Sequence, residues 1–284
     1  MSETELGPAV VAEVIESRRI TPESTDEVRH IVLRVNEPSF RYREGQSIGV
    51  VVPGPHAFGN KYHMRRYSIA NDRSRSNEES VEFSILVRRC FYIDPVNGER
   101  YPGVASNFLC DAQVGQSLSV TGPYKSPFNV PSDNRANLVM IGIGTGIAPF
   151  RAFMQHIYRQ QGGWKGQVRL FYGARTGMDM LYMNDHNSDL KEFFDEETFI
   201  AYNALANRPL MSDAEALEQS LDLHVEEAWS LIQKPDTYVC VAGLAKVQKA
   251  MDHVFSEAAG SSENWEALKE QMAQQGRWSQ LLYS

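Results

Sequence analysis

The stretch Leu138-Val139-Met140-Ile141-Gly142-Ile143-Gly144-Thr145-Gly146-Ile147-Ala148-Pro149-Phe150-Arg151 is an apolar run, a glycine turn and a proline placed for the first turn of a helix. A strand that turns on glycines into a helix brings backbone N–H groups and a helix N-terminus up to a phosphate. Further short apolar runs follow at 168–172, 199–204 and 238–241. Helical patterns at 149–160, 225–233 and 247–259 separate them, and a last helix, 265–275, precedes 278–284. Strand and helix in alternation predict a doubly wound parallel sheet with ligands at the carboxyl ends of its strands.

Upstream the period is different. Ile31, Leu33 and Val35 alternate with His30, Val32 and Arg34, and Val81, Phe83, Ile85 and Val87 alternate in the same way. From Val10 to Thr121 such runs are broken by Gly, Pro, Asn and Asp, and about six antiparallel strands point to a closed barrel. Pro127, Pro131 and Asn134 mark the way out of it. The expected organisation is an antiparallel Greek-key barrel domain at 8–130 and an α/β domain at 131–284.

Composition narrows the function. The net charge of −8 argues against nucleic acid as the main partner. Most of that charge lies in the second half, since residues 1–135 carry 16 basic against 17 acidic side chains. In that near-neutral half stand Arg41, Arg43, Lys61, His63, Arg65, Arg66, Arg73, Arg75, Arg88 and Arg89. Some of these suit a cofactor's phosphates and the rest suit an acidic protein, although a solvated mixed surface reads the same way. Cys90, Cys110 and Cys240 are widely spaced, so thiolates alone build neither an iron–sulfur cluster nor a zinc site. They read as buried free thiols, and any iron–sulfur partner is then another protein. Met1 to Pro8 reads as a short frayed end without a secretory signal. With no stretch near the roughly 20 apolar residues that span a bilayer, the expectation is a soluble cytoplasmic protein.

Arg65-Arg66-Tyr67-Ser68 places Arg65 and Tyr67 on one side of a strand. A guanidinium pairs with a diphosphate and a phenol ring covers a flat heterocycle, although an ordinary barrel strand has the same form. Gly103, Val104, Ala105 and Ser106 read as a glycine turn into a short helix whose N-terminus takes phosphate oxygens. Tyr92 stands close after Arg88 and can stack on an adenine. Further on, Gly144 and Gly146 let backbone approach a ligand, and Thr145 offers a hydroxyl. A plain strand-to-helix turn remains the alternative. Arg175 is either a phosphate contact or a surface arginine. The order of the two motifs suggests a flavin site followed by a nicotinamide site in an electron-transfer enzyme.

These motifs, with Thr121-Gly122-Pro123-Tyr124 and Ala242-Gly243-Leu244, occur in the order of the plant-type ferredoxin–NADP(H) reductase family, which the sequence resembles from about residue 10 onward. The resemblance is similarly close to reductase parts of benzoyl-CoA epoxidases. It implies an FAD-binding barrel, a nicotinamide nucleotide domain and electron exchange with a ferredoxin or a flavodoxin-type protein. By position it implies that Arg65 and Ser106 contact the FAD diphosphate, with Arg88, Gly103, Val104 and Ala105 beside them. Tyr67 then stacks on the isoalloxazine, Ser68 lies near its N5 and Tyr92 covers the adenine. Gly144, Thr145, Gly146, Gly243 and Leu244 hold the nicotinamide end. Tyr283 lays its ring over the flavin face and must leave before hydride passes; the end of an edge strand is the plainer alternative.

Three departures touch chemistry. Ala242 stands where the family usually has cysteine, Leu281 where it has glutamate and Ala105 where cysteine is frequent. The usual Ser-Arg clasp of a 2′-phosphate is replaced by Asn203-Ala204 and an acidic, alanine-rich segment in which Arg208 is the only nearby cation. NADPH is expected by resemblance. Asp213 or Glu215, accepting from a ribose 2′-hydroxyl, would favour NADH. Two rivals stay open: a reductase component feeding an oxygenase, and a flavin electron carrier or sensor without nicotinamide turnover.

Overall fold

The computed structural model describes residues 8–56, 60–128 and 130–283. Met1 to Gly7, the bulk of the expected frayed end, and Ser284 lie outside the described residues. By their contacts the chain forms two compact units. The first takes Met1–Ser126 with Arg151–His156, and the second takes Pro127–Phe150 with Ile157–Ser284.

The first unit is built on β1 (Ala9–Arg19), β2 (Val28–Val35), β3 (Ser47–Pro53), β4 (Tyr62–Ser68) and β5 (Val81–Arg88). A short ribbon, β6 (Phe91–Ile93) with β7 (Arg100–Pro102), leads to helix α1 (Val104–Asp111) and strand β8 (Ser117–Tyr124). Six of these strands pair antiparallel in the order β4-β3-β8-β1-β2-β5. Just past β4 an antiparallel bridge joins Ile69 to Ile85, and Ala70 N donates to Ser84 O at 2.8 Å. That return to β5 brings the two end strands together, so the sheet is barrel-like, as expected. Ile31, Leu33, Val35, Val81, Phe83, Ile85 and Val87 fill its core, as the alternation requires.

One face of β2–β5 departs from the expected alternation. His30, Ser84 and Leu86 are buried too, at 6%, 3% and 4% exposure. The cover comes from far along the chain: Arg151–His156 belongs to this unit, and the Arg151 guanidinium donates to Ala70 O. Burial, reinforced by Arg151, holds the His30 imidazole down to about 3.

The second unit runs β9 (Asn137–Ile143), a 3₁₀ turn over Gly144–Gly146, and the start of helix α2 (Ile147–Met154); residues 151–156, where α2 passes into a π-helical stretch, Gln155–Gln160, group with the first unit. Strands β10 (Val168–Ala174) and β11 (Phe199–Leu205) follow, then α3 (Asp213–Leu223), α4 (Val225–Ile232), β12 (Thr237–Leu244), α5 (Lys246–Ala258), α6 (Ser262–Gln274) and β13 (Trp278–Tyr283). Its five strands are parallel, in the order β11-β10-β9-β12-β13. This is the doubly wound arrangement, with its topological switch between β9 and β12. Helix α3 is the element that the apolar periods do not announce. Ser212 and Glu215 form a reciprocal capping box at its start, and Ala214, Leu217 and Leu221 form its buried stripe.

The thiols differ among themselves. Cys110 and Cys240 are buried and pushed up to about 12 by burial, but Cys90 is exposed and does not fit the reading of three buried thiols. Among the described residues no helix is long and apolar enough to cross a membrane.

Candidate functional site

In the first unit Tyr67 is half-buried against the barrel core. Burial pushes its phenol well above the ordinary range, so it stays a neutral, flat ring. Arg65 lies two residues back on β4, paired in register with Val50 as Tyr67 is with Ile48, and its guanidinium is exposed. These two side chains therefore share one side of the strand, as expected. Arg66, on the other side, lays its guanidinium 3.9 Å from the Tyr124 ring centre. Ser68 ends β4 opposite Ser47, half-buried.

Helix α1 starts at Gly103, which has no side chain to cap it. The first N–H groups of any helix lack intrahelical partners, so those of Val104, Ala105 and Ser106 stand at the positive end of the helix dipole as donors with no side-chain cap from Gly103. That set suits a diphosphate. The Ser106 hydroxyl, expected to join it, accepts from Cys90 N at 3.1 Å and donates to Gly103 O at 3.3 Å, and it braces the turn. Arg89 holds the far end of α1, donating to Asn107 Oδ1 at 3.0 Å and Asp111 Oδ1 at 2.7 Å. Arg88 is paired with Asp26. Tyr92 is exposed on β6 and stacked on Tyr101 of β7, with centroids 5.4 Å apart.

In the second unit the switch point brings together the ends of β9, β12 and β13. Gly144 has φ +54, and a Cβ there would meet nothing within 4 Å. Gly146 is different: its Cβ would fall 2.3 Å from Ala242 O, so this glycine seats the turn against β12. Tyr172, read in the sequence only as part of a strand, is fully buried and donates to Gly144 O at 2.8 Å. Thr145 Oγ1 lies 2.8 Å from the Tyr283 hydroxyl. Tyr283 does end an edge strand, held by its register with Leu244 and by Ala245 N donating to its carbonyl at 3.1 Å. Gly243, at φ +135, packs where a Cβ would be 2.8 Å from Ile143 O.

Ala242 and Leu281 are cross-strand partners in the β12–β13 register. The two departures from the family's pattern thus occupy one place, and an apolar pair replaces two polar groups together. Beyond the sheet, Asp213 Oδ1 is engaged by the Lys246 ammonium at the start of α5. Glu215 Oε2 accepts from Ser212 N at 2.8 Å within the capping box, and its other oxygen lies 3.7 Å from the exposed Arg208. Arg175 is exposed, 3.8 Å from Asp179. Lys246 carries no motif in the sequence; its position at the first residue of the helix after the Gly-Leu strand end is the only signal that singles it out.

An oxidoreductase NAD-binding domain family matches residues 140–253, which contain the switch point. A ferredoxin–NADP reductase of Picosynechococcus is 34% identical over 90% of this chain, which spans 65% of that relative's length. One from Spirulina is 32% identical, covering 89% of this chain and 88% of its own. The leaf isozyme 1 of ferredoxin–NADP reductase from indica rice is 33% identical over 90% of this chain and 72% of its own. In fold, the ferredoxin–NADP+ reductase of Plasmodium falciparum superposes with a TM-score of 0.72 over 97% of this chain and 96% of its own, at 17% identity. The chain belongs to the plant-type ferredoxin–NADP(H) reductase family.

Proposed function

We propose that this chain is an FAD-dependent ferredoxin–NAD(P)H reductase of the cytoplasm, with an FAD-binding domain at 8–130 and a nicotinamide nucleotide domain at 131–284. FAD, when bound, supplies the conversion between the electron pair of a nicotinamide and the single electrons of a ferredoxin. Arg65 and the N-terminus of α1 bind its diphosphate, Tyr67 covers its ring system, Ser68 offers a hydroxyl at N5, and Tyr92 takes the adenine.

The observation that carries the reading is the open turn at the sheet's switch point. Gly144 leaves room for a ligand, Tyr172 fixes its carbonyl, and Thr145 holds the Tyr283 hydroxyl. NADPH enters there once Tyr283 releases Thr145. Coenzyme choice follows from charge: Lys246 neutralises Asp213 and the helix cap engages Glu215. With both carboxylates engaged, neither is left bare for a ribose 2′-hydroxyl, and exposed Arg208, 3.7 Å from Glu215, reaches a 2′-phosphate by turning away from that carboxylate, which supports NADPH over NADH. Exposed Arg41, Arg43 and Arg66 on the barrel unit suit an acidic ferredoxin. A cytoplasmic location is supported by Cys90, Cys110 and Cys240 all being unbridged.

The apolar Ala242–Leu281 pair favours a second reading, a flavin electron carrier without nicotinamide turnover. Rapid mixing of the FAD-loaded protein with NADPH and with NADH decides between the two. Bleaching of flavin absorbance, faster with NADPH, is expected; no bleaching with either leaves the carrier.

A further inference from the structure

Directly after Ser68 the chain leaves its strand, yet Ile69, Ala70, Asn71 and Asp72 stay buried. Buried backbone outside a ladder must find its hydrogen bonds elsewhere. Here they come from named groups. Ile69 N donates to Gln46 O at 2.9 Å and Ala70 N to Ser84 O at 2.8 Å. The Arg151 guanidinium donates to Ala70 O, and Asp72 N donates to Gln155 Oε1 at 3.1 Å. Asp72 O accepts from the Tyr42 hydroxyl at 2.6 Å and from the Asn71 amide at 2.7 Å. Asn71 Oδ1 accepts from Ser84 N and Ser84 Oγ.

Two of these groups come from beyond the barrel's stretch of sequence. Arg151, in the last turn of α2, and Gln155, the first residue of the π-helical stretch that continues it, are 7% and 3% exposed and grip alternate residues of the buried segment. A group that acts on a cofactor needs its geometry held to within roughly 0.5 Å by the side chains behind it.

We propose that Arg151 and Gln155 are positioning residues of the flavin site. By clamping Ala70 and Asp72 they fix the path of the chain as it leaves Ser68, and with it the Ser68 hydroxyl and the Tyr67 ring. The inference rests on the reading of Tyr67 and Ser68 as flavin contacts. An ammonium on the shorter lysine side chain does not reproduce the reach and fixed plane of the guanidinium, so Arg151→Lys loosens the clamp while keeping the charge.

The test uses the full chain loaded with FAD, as wild type, Arg151→Lys, Gln155→Met and Lys269→Met. Lys269 is a buried partner of Asp252 and Glu266 in the second unit, and its replacement supplies a loss of thermal stability unconnected with Ser68. Three quantities are read: FAD affinity, visible circular dichroism of the bound flavin, and amide exchange of residues 69–72 in the FAD-free protein. Arg151→Lys is expected to weaken FAD roughly ten-fold, as loss of a charged hydrogen bond does, to change the flavin dichroism and to accelerate exchange. Gln155→Met moves all three in the same direction by roughly three-fold. Lys269→Met leaves FAD affinity within about two-fold, the small effect expected of a distant, independent site. If Arg151→Lys does not fold, Gln155→Met decides. Wild-type FAD affinity and dichroism in both clamp variants overturn the inference, as do equal changes in Lys269→Met. A wild-type protein that takes up no FAD strikes at the flavin reading itself.

Discussion

The two glycine turns at the proposed flavin and nicotinamide sites are built on opposite plans. At Gly103 the backbone has φ −64, which any residue can adopt, and an added Cβ would stop 2.9 Å from the Ser106 hydroxyl that braces the turn and 3.2 Å from Cys90 O. At Gly144–Gly146 the work is divided. Gly144 supplies the left-handed φ and faces open space, while Gly146 is fixed by an unyielding backbone at 2.3 Å. Similar glycine motifs thus report three physical needs: absence of a cap, backbone handedness and close packing.

The largest expected effect breaks this division directly. Gly146→Ala drives a Cβ into the Ala242 carbonyl, and a clash with backbone costs about 3 kcal/mol or more. Thermal unfolding should show the second unit lost or strongly destabilised. Gly144→Ala meets no atom and loses only the left-handed preference, about 1 kcal/mol, with its main effect on NADPH affinity. Gly103→Ala presses on the Ser106 brace, and should lower stability by about 1 kcal/mol, less than Gly146→Ala, while also weakening FAD. Equal stability losses at 144 and 146 would contradict the assignment of packing to Gly146 alone.

The units also differ in how they meet acid. His30, in the barrel, has its folded value pushed down to about 3 by burial, so between pH 6.5 and 3 the unfolded chain binds the proton and the folded one does not. Stability of the first unit then falls as pH drops through that window, by up to about 1.4 kcal/mol per pH unit. His253, exposed on α5, is raised by its hydrogen bond to Glu218 on α3. Its contribution is present at low pH and is lost as pH rises through its raised value. Calorimetry from pH 7 to 5 should show the barrel's transition moving down relative to that of the second unit. His30→Gln should flatten that slope, and a wild-type slope in this variant assigns the acid sensitivity elsewhere.

Much of this was legible in the sequence because it depends on short periods. The alternation of Val81, Phe83, Ile85 and Val87 and the runs at 138–143 and 238–241 report local burial, and the barrel and parallel sheet follow from them. The cover over His30 and Ser84 was not legible, because Arg151 arrives from more than a hundred residues beyond His30. Helix α3 was hidden for a different reason: its buried face alternates alanine with leucine (Ala214, Ala216, Leu217 and Leu221), with little hydrophobic contrast, and its one strong signal is the Ser212–Glu215 cap. At the site, the motif residues were visible but their partners were not. Tyr172 looks like any strand aromatic, and Lys246 like any surface lysine, until the fold brings them to Gly144 and Asp213. The facing of Ala242 and Leu281 likewise depends on a register between strands 39 residues apart.

The smallest effect lies at the contact between Thr145 and Tyr283, where each hydroxyl has the other within 2.8 Å. Tyr283 is half-exposed and anchored by backbone, through Leu244 and Ala245, so its hydroxyl contributes little to folding. Tyr283→Phe and Thr145→Val should each lower stability by less than about 1 kcal/mol. The double variant should lose less than the sum, since the second change removes a bond already gone. Nucleotide binding should separate the two side chains. A ring that leaves when the nicotinamide arrives is easier to move without its hydroxyl, so Tyr283→Phe should tighten NADP+ by a few-fold. Thr145→Val gains the same release and loses a hydroxyl facing the ligand, and should come out near neutral. If Tyr283→Phe weakens NADP+ instead, the tyrosine hydroxyl binds the nucleotide and does not guard the turn.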